Sequence, residues 1–258
     1  MRDSFVTARA LIFGFLCCIL IPVIDHYSID VVHASYMAID HIPAVGVGLF
    51  FFTVLFLNTL ARWLLPQMAF TTGELLLIYS MMLVACSVTE MGLGSQILPL
   101  LAAPFYYATS QNEWVARIHP YLKRFLVPQD TAAIAKFFEG LEKGGRIPWE
   151  VWAKPLAVWI PFLLLLYFVM FCIAVILRRQ WMERERLVYP LAVLPKEMAR
   201  QDEGVVPPFF RNRMMWIGFG IAFLFGTWKA LTTYFPVVPP LQLSTSFPIF
   251  RGTLNWVF

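Results

Sequence analysis

The sequence predicts an all-α integral membrane protein with about five transmembrane helices. The third is interrupted, and a small helical cap sits on the extracytoplasmic side. Three observations predict this class. Apolar residues make up 59% of the chain and charged residues only 14%, against about 25% charged in an ordinary globular domain. The surplus apolar side chains need a solvent other than water, and lipid supplies it. Apolar runs recur at lengths near the roughly 20 residues that a helix needs to cross the hydrocarbon core. Arginines collect between alternate runs, which is the pattern that orients membrane proteins. The net charge of +4 acts through its location along the chain, so no nucleic-acid partner is expected.

The first run, Ala10–Ile24, is short and follows the basic residues Arg2 and Arg9. It resembles a signal peptide in outline. No small-x-small cleavage site follows, so we read a retained helix. The second run, Ile42–Ala61, holds only Thr53, Asn58 and Thr59 as polar side chains. The fourth, Pro155–Leu177, has no charge, and Pro161 is tolerated as membrane helices tolerate proline. The fifth runs from Met214 to about Phe235, with Lys229 near its end.

The third run is different. Leu75 to Tyr107 is apolar except for the break Ser87-Val88-Thr89-Glu90-Met91-Gly92-Leu93-Gly94-Ser95. As one straight helix it would be about 50 Å long, too long for one ordinary crossing. Charge decides how it crosses. The loop Asp25–His41 has no Lys or Arg, whereas Arg178, Arg179, Arg184 and Arg186 cluster after the fourth run. With the N-terminus and this cluster both cytoplasmic, the third run crosses once, with an interrupted middle.

Residues 1–258 then read as a single transmembrane domain, with 108–154 an extracytoplasmic helical loop and 178–213 a cytoplasmic loop. In the outer loop Asp130 is placed to cap a helix whose apolar face is Ile134, Phe137, Phe138 and Leu141, with Gly144-Gly145 as its stop. It reads as a cap on the membrane face or as helices packed on neighbouring loops. The cytoplasmic stretch is interrupted by Pro190, Pro195, Pro207 and Pro208. The apolar ending Asn255-Trp256-Val257-Phe258 leads us to expect a piece of a longer protein.

Ionisable groups inside a span are costly and often functional. Glu90 is the first candidate, set among Ser87, Thr89, Gly92 and Gly94. Broken helices expose backbone groups that transporters use for ions and substrates. Glu90 is suited to bind a proton or cation there; the alternative is a carboxylate at the interface in contact with water. Asn58 is read as a partner to a neighbouring helix, or as a substrate ligand. Glu74, after Thr71, Thr72 and Gly73, reads as a first-turn acid on a capped helix. His26, Asp30 and His33 share a helical face suited to a metal, but a solvated polar loop explains them better, and no metal or cofactor is expected. Cys17, Cys18, Cys86 and Cys172 lie in apolar runs without ligand spacing and read as small hydrophobes. Gly46-x-Gly48, Gly92-x-Gly94 and Gly218-x-Gly220 lack nucleotide-loop context and read as close-packing points. No catalytic triad, zinc-protease motif or P-loop is visible, so an enzyme is not expected.

Three stretches carry a resemblance. They are Thr72-Gly73-Glu74-Leu75-Leu76-Leu77-Ile78-Tyr79-Ser80-Met81-Met82, Leu98-Pro99-Leu100-Leu101-Ala102-Ala103-Pro104-Phe105-Tyr106-Tyr107, and Arg178-Arg179-Gln180-Trp181 followed by Glu185-Arg186-Leu187-Val188-Tyr189-Pro190-Leu191-Ala192. They resemble an uncharacterised bacterial membrane-protein family related to the oligopeptide transporter superfamily. The resemblance implies a secondary transporter of a small, peptide-like solute in the inner (plasma) membrane. A non-transporting membrane scaffold or assembly protein is the alternative. Lipid and a small-molecule or ion substrate are the expected partners.

Overall fold

Thr71 starts the helix that organises the fold. Its side chain accepts from the Glu74 amide, and the Glu74 carboxylate accepts from the Thr71 amide. This reciprocal box satisfies two donors that a helix start leaves orphaned. The computed structural model describes residues 5–33, 36–39, 42–89, 94–185, 189–235 and 237–239. Every regular element among them is helical. The chain divides into two compact units, Met1–Ala199 and Arg200–Phe258.

In the first unit α1 spans Ala8–His26 and continues through a π-turn, Tyr27–Val31. The run therefore continues seven residues past Ile24, and Asp25 belongs to the helix rather than to a loop. α2, Ala44–Phe52, passes through a π-turn, Thr53–Asn58, into α3, Thr59–Leu64. The Thr59 hydroxyl donates back five residues to Val54 O at 3.1 Å, in keeping with the wider turn. α4 is Thr72–Val88 and α5 is Ser95–Tyr106. The long third run is thus two helices. At 1.5 Å per residue α4 is about 26 Å long, close to the ~30 Å hydrocarbon core.

α1 turns Ala10, Gly14, Cys17, Ile21 and Asp25 inward. These positions recur every three or four residues, as one helical face requires. α4 answers with Leu75, Ile78, Tyr79, Met82 and Cys86. Contacts advance together along both helices: Arg9 meets Glu74, and the Cys18 thiol donates to Met81 O at 3.4 Å. α1 and α4 are therefore parallel. α2–α3 runs the other way, with Phe50 against Tyr79 at 4.8 Å and Asn58 bonded to Phe70. Gly46 allows the close approach at the other end, since a Cβ there would stand 3.1 Å from Cys86 Sγ.

Beyond α5 the chain builds a small layer. α6 is Trp114–Arg117 and α7 is Thr131–Glu139. Asp130 caps α7, accepting from the Ala132 and Ala133 amides. Gly140, at φ 96°, ends it, four residues before Gly144-Gly145, because only glycine takes this φ at no steric cost. α8 is Trp149–Arg179 and extends through a π-turn to Arg184. Ile134 of α7 packs with Ala102 of α5 and Trp152 of α8. The layer is therefore packed on neighbouring helices, and Trp159 Nε1 ties it to α8 by donating to Leu126 O at 2.9 Å. α9, Pro190–Ala199, returns to the start of α4, where Thr72 Oγ1 donates to Ala199 O at 3.1 Å.

The second unit holds α10, Pro208–Arg211, and α11, Arg213–Tyr234. Asn212 caps α11, and Trp216 Nε1 donates to Phe210 O at 2.7 Å.

Four helical stretches are long and apolar enough to cross a membrane: Ala8–Val31, Ala44–Leu64, Trp149–Arg184 and Arg213–Thr232. These mark a multi-pass membrane protein. The windows of the last two bury none of their residues within the chain, as helices that face lipid or other helices do.

Candidate functional site

The break between α4 and α5 is built by its polar residues. Thr89 leaves the helix at φ −65°, ψ −124°. Its buried hydroxyl donates to Ala85 O at 2.8 Å and reaches Cys86 O at 3.1 Å. The exposed Ser87 hydroxyl donates to Val84 O at 2.8 Å. Of these carbonyls, Cys86 O is one that the helix end leaves open, whereas Ala85 O also accepts the Thr89 amide. Gly94 faces the same end: a Cβ there would lie 3.1 Å from Val88 O and 3.2 Å from Thr89 O. The tight return from α4 to α5 therefore needs the smallest residue at this point. Glu90 and Gly92 lie outside the described residues.

Two grooves meet at the break. One, of about 710 Å³, lies between α1 and α4, with Cys18, Pro22, His26 and Thr89 on its walls. The other, of about 630 Å³, lies between α4 and α8, with Ser87, Ile97, Ile160 and Tyr167. Val84, Val88 and Gly94 line both. Of the residues singled out from the sequence, Ser87, Thr89 and Gly94 come together here.

Asn58 does not join them. It is buried, and its amide reads the Phe70 backbone in both directions, accepting from Phe70 N at 2.7 Å and donating to Phe70 O at 3.3 Å. That places it before the start of α4, at the other end from the break. Next to it, Arg9 stacks over the Phe70 ring at 5.7 Å and grips Glu74. The Glu74 carboxylate takes four hydrogen bonds, from Thr7, from Arg9 Nε and Nη2, and from the Thr71 amide. This end of the bundle is a satisfied structural clamp.

The loop reading of the acidic and histidine residues also changes. Asp25 is fully buried on the α1–α4 seam. His26 and Asp30 are exposed and pair at 3.5 Å, while His33 sits beyond the π-turn at φ 54°. Among the described residues no three His, Cys, Asp or Glu side chains gather as a metal site. Of the glycine pairs, Gly46 makes a close approach, whereas Gly48, Gly218 and Gly220 face open space. Asp25 is the residue that sequence reasoning passed over. Its signal was available: no Lys or Arg occurs from Ala10 to Ala61, so a buried carboxyl there has no local counter-charge.

No curated protein and no solved structure matches the chain. A family model matches residues 1–255, and the chain accordingly belongs to that family of unknown function, DUF6785.

Proposed function

We propose that the protein is a secondary transporter of a small, peptide-like solute, coupled to protons or cations. The observation that carries this reading is the break at Val88–Ser95, where a membrane helix ends and two grooves meet. Interrupted helices place unbonded backbone groups beside a cavity, and transporters use such groups to hold ions and substrates. The groove walls are mostly apolar with a few hydroxyls, which suits a solute with apolar side chains and a polar backbone.

The membrane is the inner (plasma) membrane, and the N-terminus is cytoplasmic. Arg9 lies at the start of α1, beside the start of α4. Arg62 lies at the end of α3, which returns to that same end. α8 begins against α5 and runs toward Arg178, Arg179 and Arg184, after which α9 comes back to Thr72. Five arginines thus lie at this end of the first unit, against Arg117, Arg124 and Arg146 in residues 108–154, and this arginine excess supports the cytoplasmic placement. The break then opens near the extracytoplasmic end of α4, beneath the layer of α5 to α7. Glu90, between Thr89 and Gly94 in sequence, is the coupling carboxylate of the proposal.

The test is proton flux in proteoliposomes that hold the full protein and an enclosed pH dye. A gradient of mixed di- and tripeptides should acidify or alkalinise the lumen, and Glu90→Gln should reduce the change. Flux equal to that of empty vesicles would sink the transporter reading in favour of a scaffold that uses residues 108–154 for contacts.

A further inference from the structure

Two carboxyl groups are buried on the α1–α4 seam, and they are in opposite states. Glu74 is 1% exposed and fully bonded, with an arginine on both oxygens. Asp25 is 0% exposed. Its Oδ1 accepts from the Met37 amide at 3.2 Å. Its Oδ2 is buried and has no hydrogen-bond partner among the described residues. A buried polar atom without a partner costs free energy, and an unpaired buried charge costs far more.

Among the described residues the surroundings offer no lysine or arginine. Arg62 is the one Lys or Arg between Arg9 and Arg117, and it lies at the end of α3, at the clamp end of the bundle. α2 has no titratable side chain. α4 contributes the Cys86 thiol, an electrostatic neighbour of Asp25, and Tyr79 further down the seam. α1 itself contributes Cys17 and Cys18 on the preceding turns and His26 next in sequence. His26 points to the groove and pairs with Asp30. Residues 36–39 add the exposed Tyr36. Nothing in this set neutralises a carboxylate.

We propose that Asp25 is a proton-binding site, occupied by a proton on Oδ2. When the site opens to water, a hydronium ion transfers its proton to Oδ2, forming one O–H bond, and leaves as water. The neutral acid removes the buried charge, and release of the proton reverses the step. The site's role in coupling rests on the transporter reading; its occupancy by a proton does not.

The test is infrared difference spectroscopy on the full protein in lipid, comparing H2O with D2O at neutral pH. The proposal expects a protonated-carboxyl C=O band that shifts on exchange, disappears in Asp25→Asn, moves in Asp25→Glu and persists in Glu90→Gln. No such band, or a band unchanged in both Asp25 variants, overturns it. If Asp25→Asn does not fold, Asp25→Glu decides, because the band either moves or stays. A band that behaves as expected without peptide-driven proton flux leaves the site standing and removes the transporter reading. Flux without the band does the reverse.

Discussion

Arg9 holds both oxygens of Glu74, with Nε 2.8 Å from Oε1 and Nη2 2.7 Å from Oε2, across 65 residues of chain. The geometry is the two-pronged one that makes arginine–carboxylate pairs strong. It fixes the parallel register of α1 and α4, because one turn of slip would separate the pair. An arginine that first reads as a topology signal is thus also a structural clamp.

Removal of Arg9 should therefore cost more than removal of the charge on Glu74. Arg9→Ala leaves a buried carboxylate with only Thr7 and the Thr71 amide, a loss of about 3 kcal/mol, at the low end for a broken buried pair. Arg9 is 42% exposed, so in Glu74→Gln the freed guanidinium reaches water and the loss is smaller, about 1–2 kcal/mol. Thermal unfolding of the purified protein in detergent ranks the two, and the double variant should recover part of the Arg9→Ala loss. Equal effects would mean that the pair does not hold the seam.

Asn58→Ala should destabilise by about 2–3 kcal/mol, because it strands both the amide and the carbonyl of Phe70. Asn58→Asp keeps the acceptor but sets a buried carboxylate oxygen against the Phe70 carbonyl, so it should destabilise at least as much as Asn58→Ala. The measurement is again the unfolding temperature. An unchanged temperature together with lost solute flux would instead assign Asn58 to the substrate.

How much of this was legible depends on the range of each interaction. The Thr71–Glu74 cap and the Asp130 cap are written in three or four consecutive residues, and both are readable from the sequence. The break at Ser87–Ser95 is readable because hydroxyls and glycines interrupt an apolar run. Arg9–Glu74 is not, because a pairing 65 residues apart leaves no local pattern. Asp25 reads as a loop residue because it is the first charge after an apolar run. The helix carries on past it through a π-turn, and the residues at 36–39 fold back to supply the Met37 amide. The end of α7 reads four residues late because a glycine pair outweighs a single glycine on the page, whereas φ at Gly140 decides it in the fold.

The two glycines of α2 should respond in opposite directions. Gly46→Ala drives a methyl against Cys86 Sγ and should destabilise, by about 1–2 kcal/mol for an overpacked contact. Gly48→Ala meets nothing within 4 Å and should gain up to about 1 kcal/mol from helix propensity. Paired unfolding curves test this without reference to function. A loss at Gly48 as large as at Gly46 would mean that another helix covers that face in the assembled protein.

The orientation rests on which end of the bundle collects the arginines, and cysteine accessibility tests it. In a background with Cys17, Cys18, Cys86 and Cys172 replaced, single cysteines at Glu183 and at Lys143 mark the two ends. Glu183 is exposed at the end of α8, and Lys143 is exposed in the loop after α7. A membrane-impermeant maleimide applied to intact cells should label position 143 and spare 183. Labelling at 183 should appear only once the membrane is opened. The same result decides how α4 and α5 divide the third run. α4, at about 26 Å, falls just short of the ~30 Å hydrocarbon core and is not one of the four stretches long enough to cross by length, and α5 packs with α7 and Trp152. One crossing by α4 puts Glu183 on the side of Arg9, whereas two crossings put it on the opposite side. The reverse pattern, 183 labelled and 143 spared, would overturn the single crossing with a cytoplasmic N-terminus.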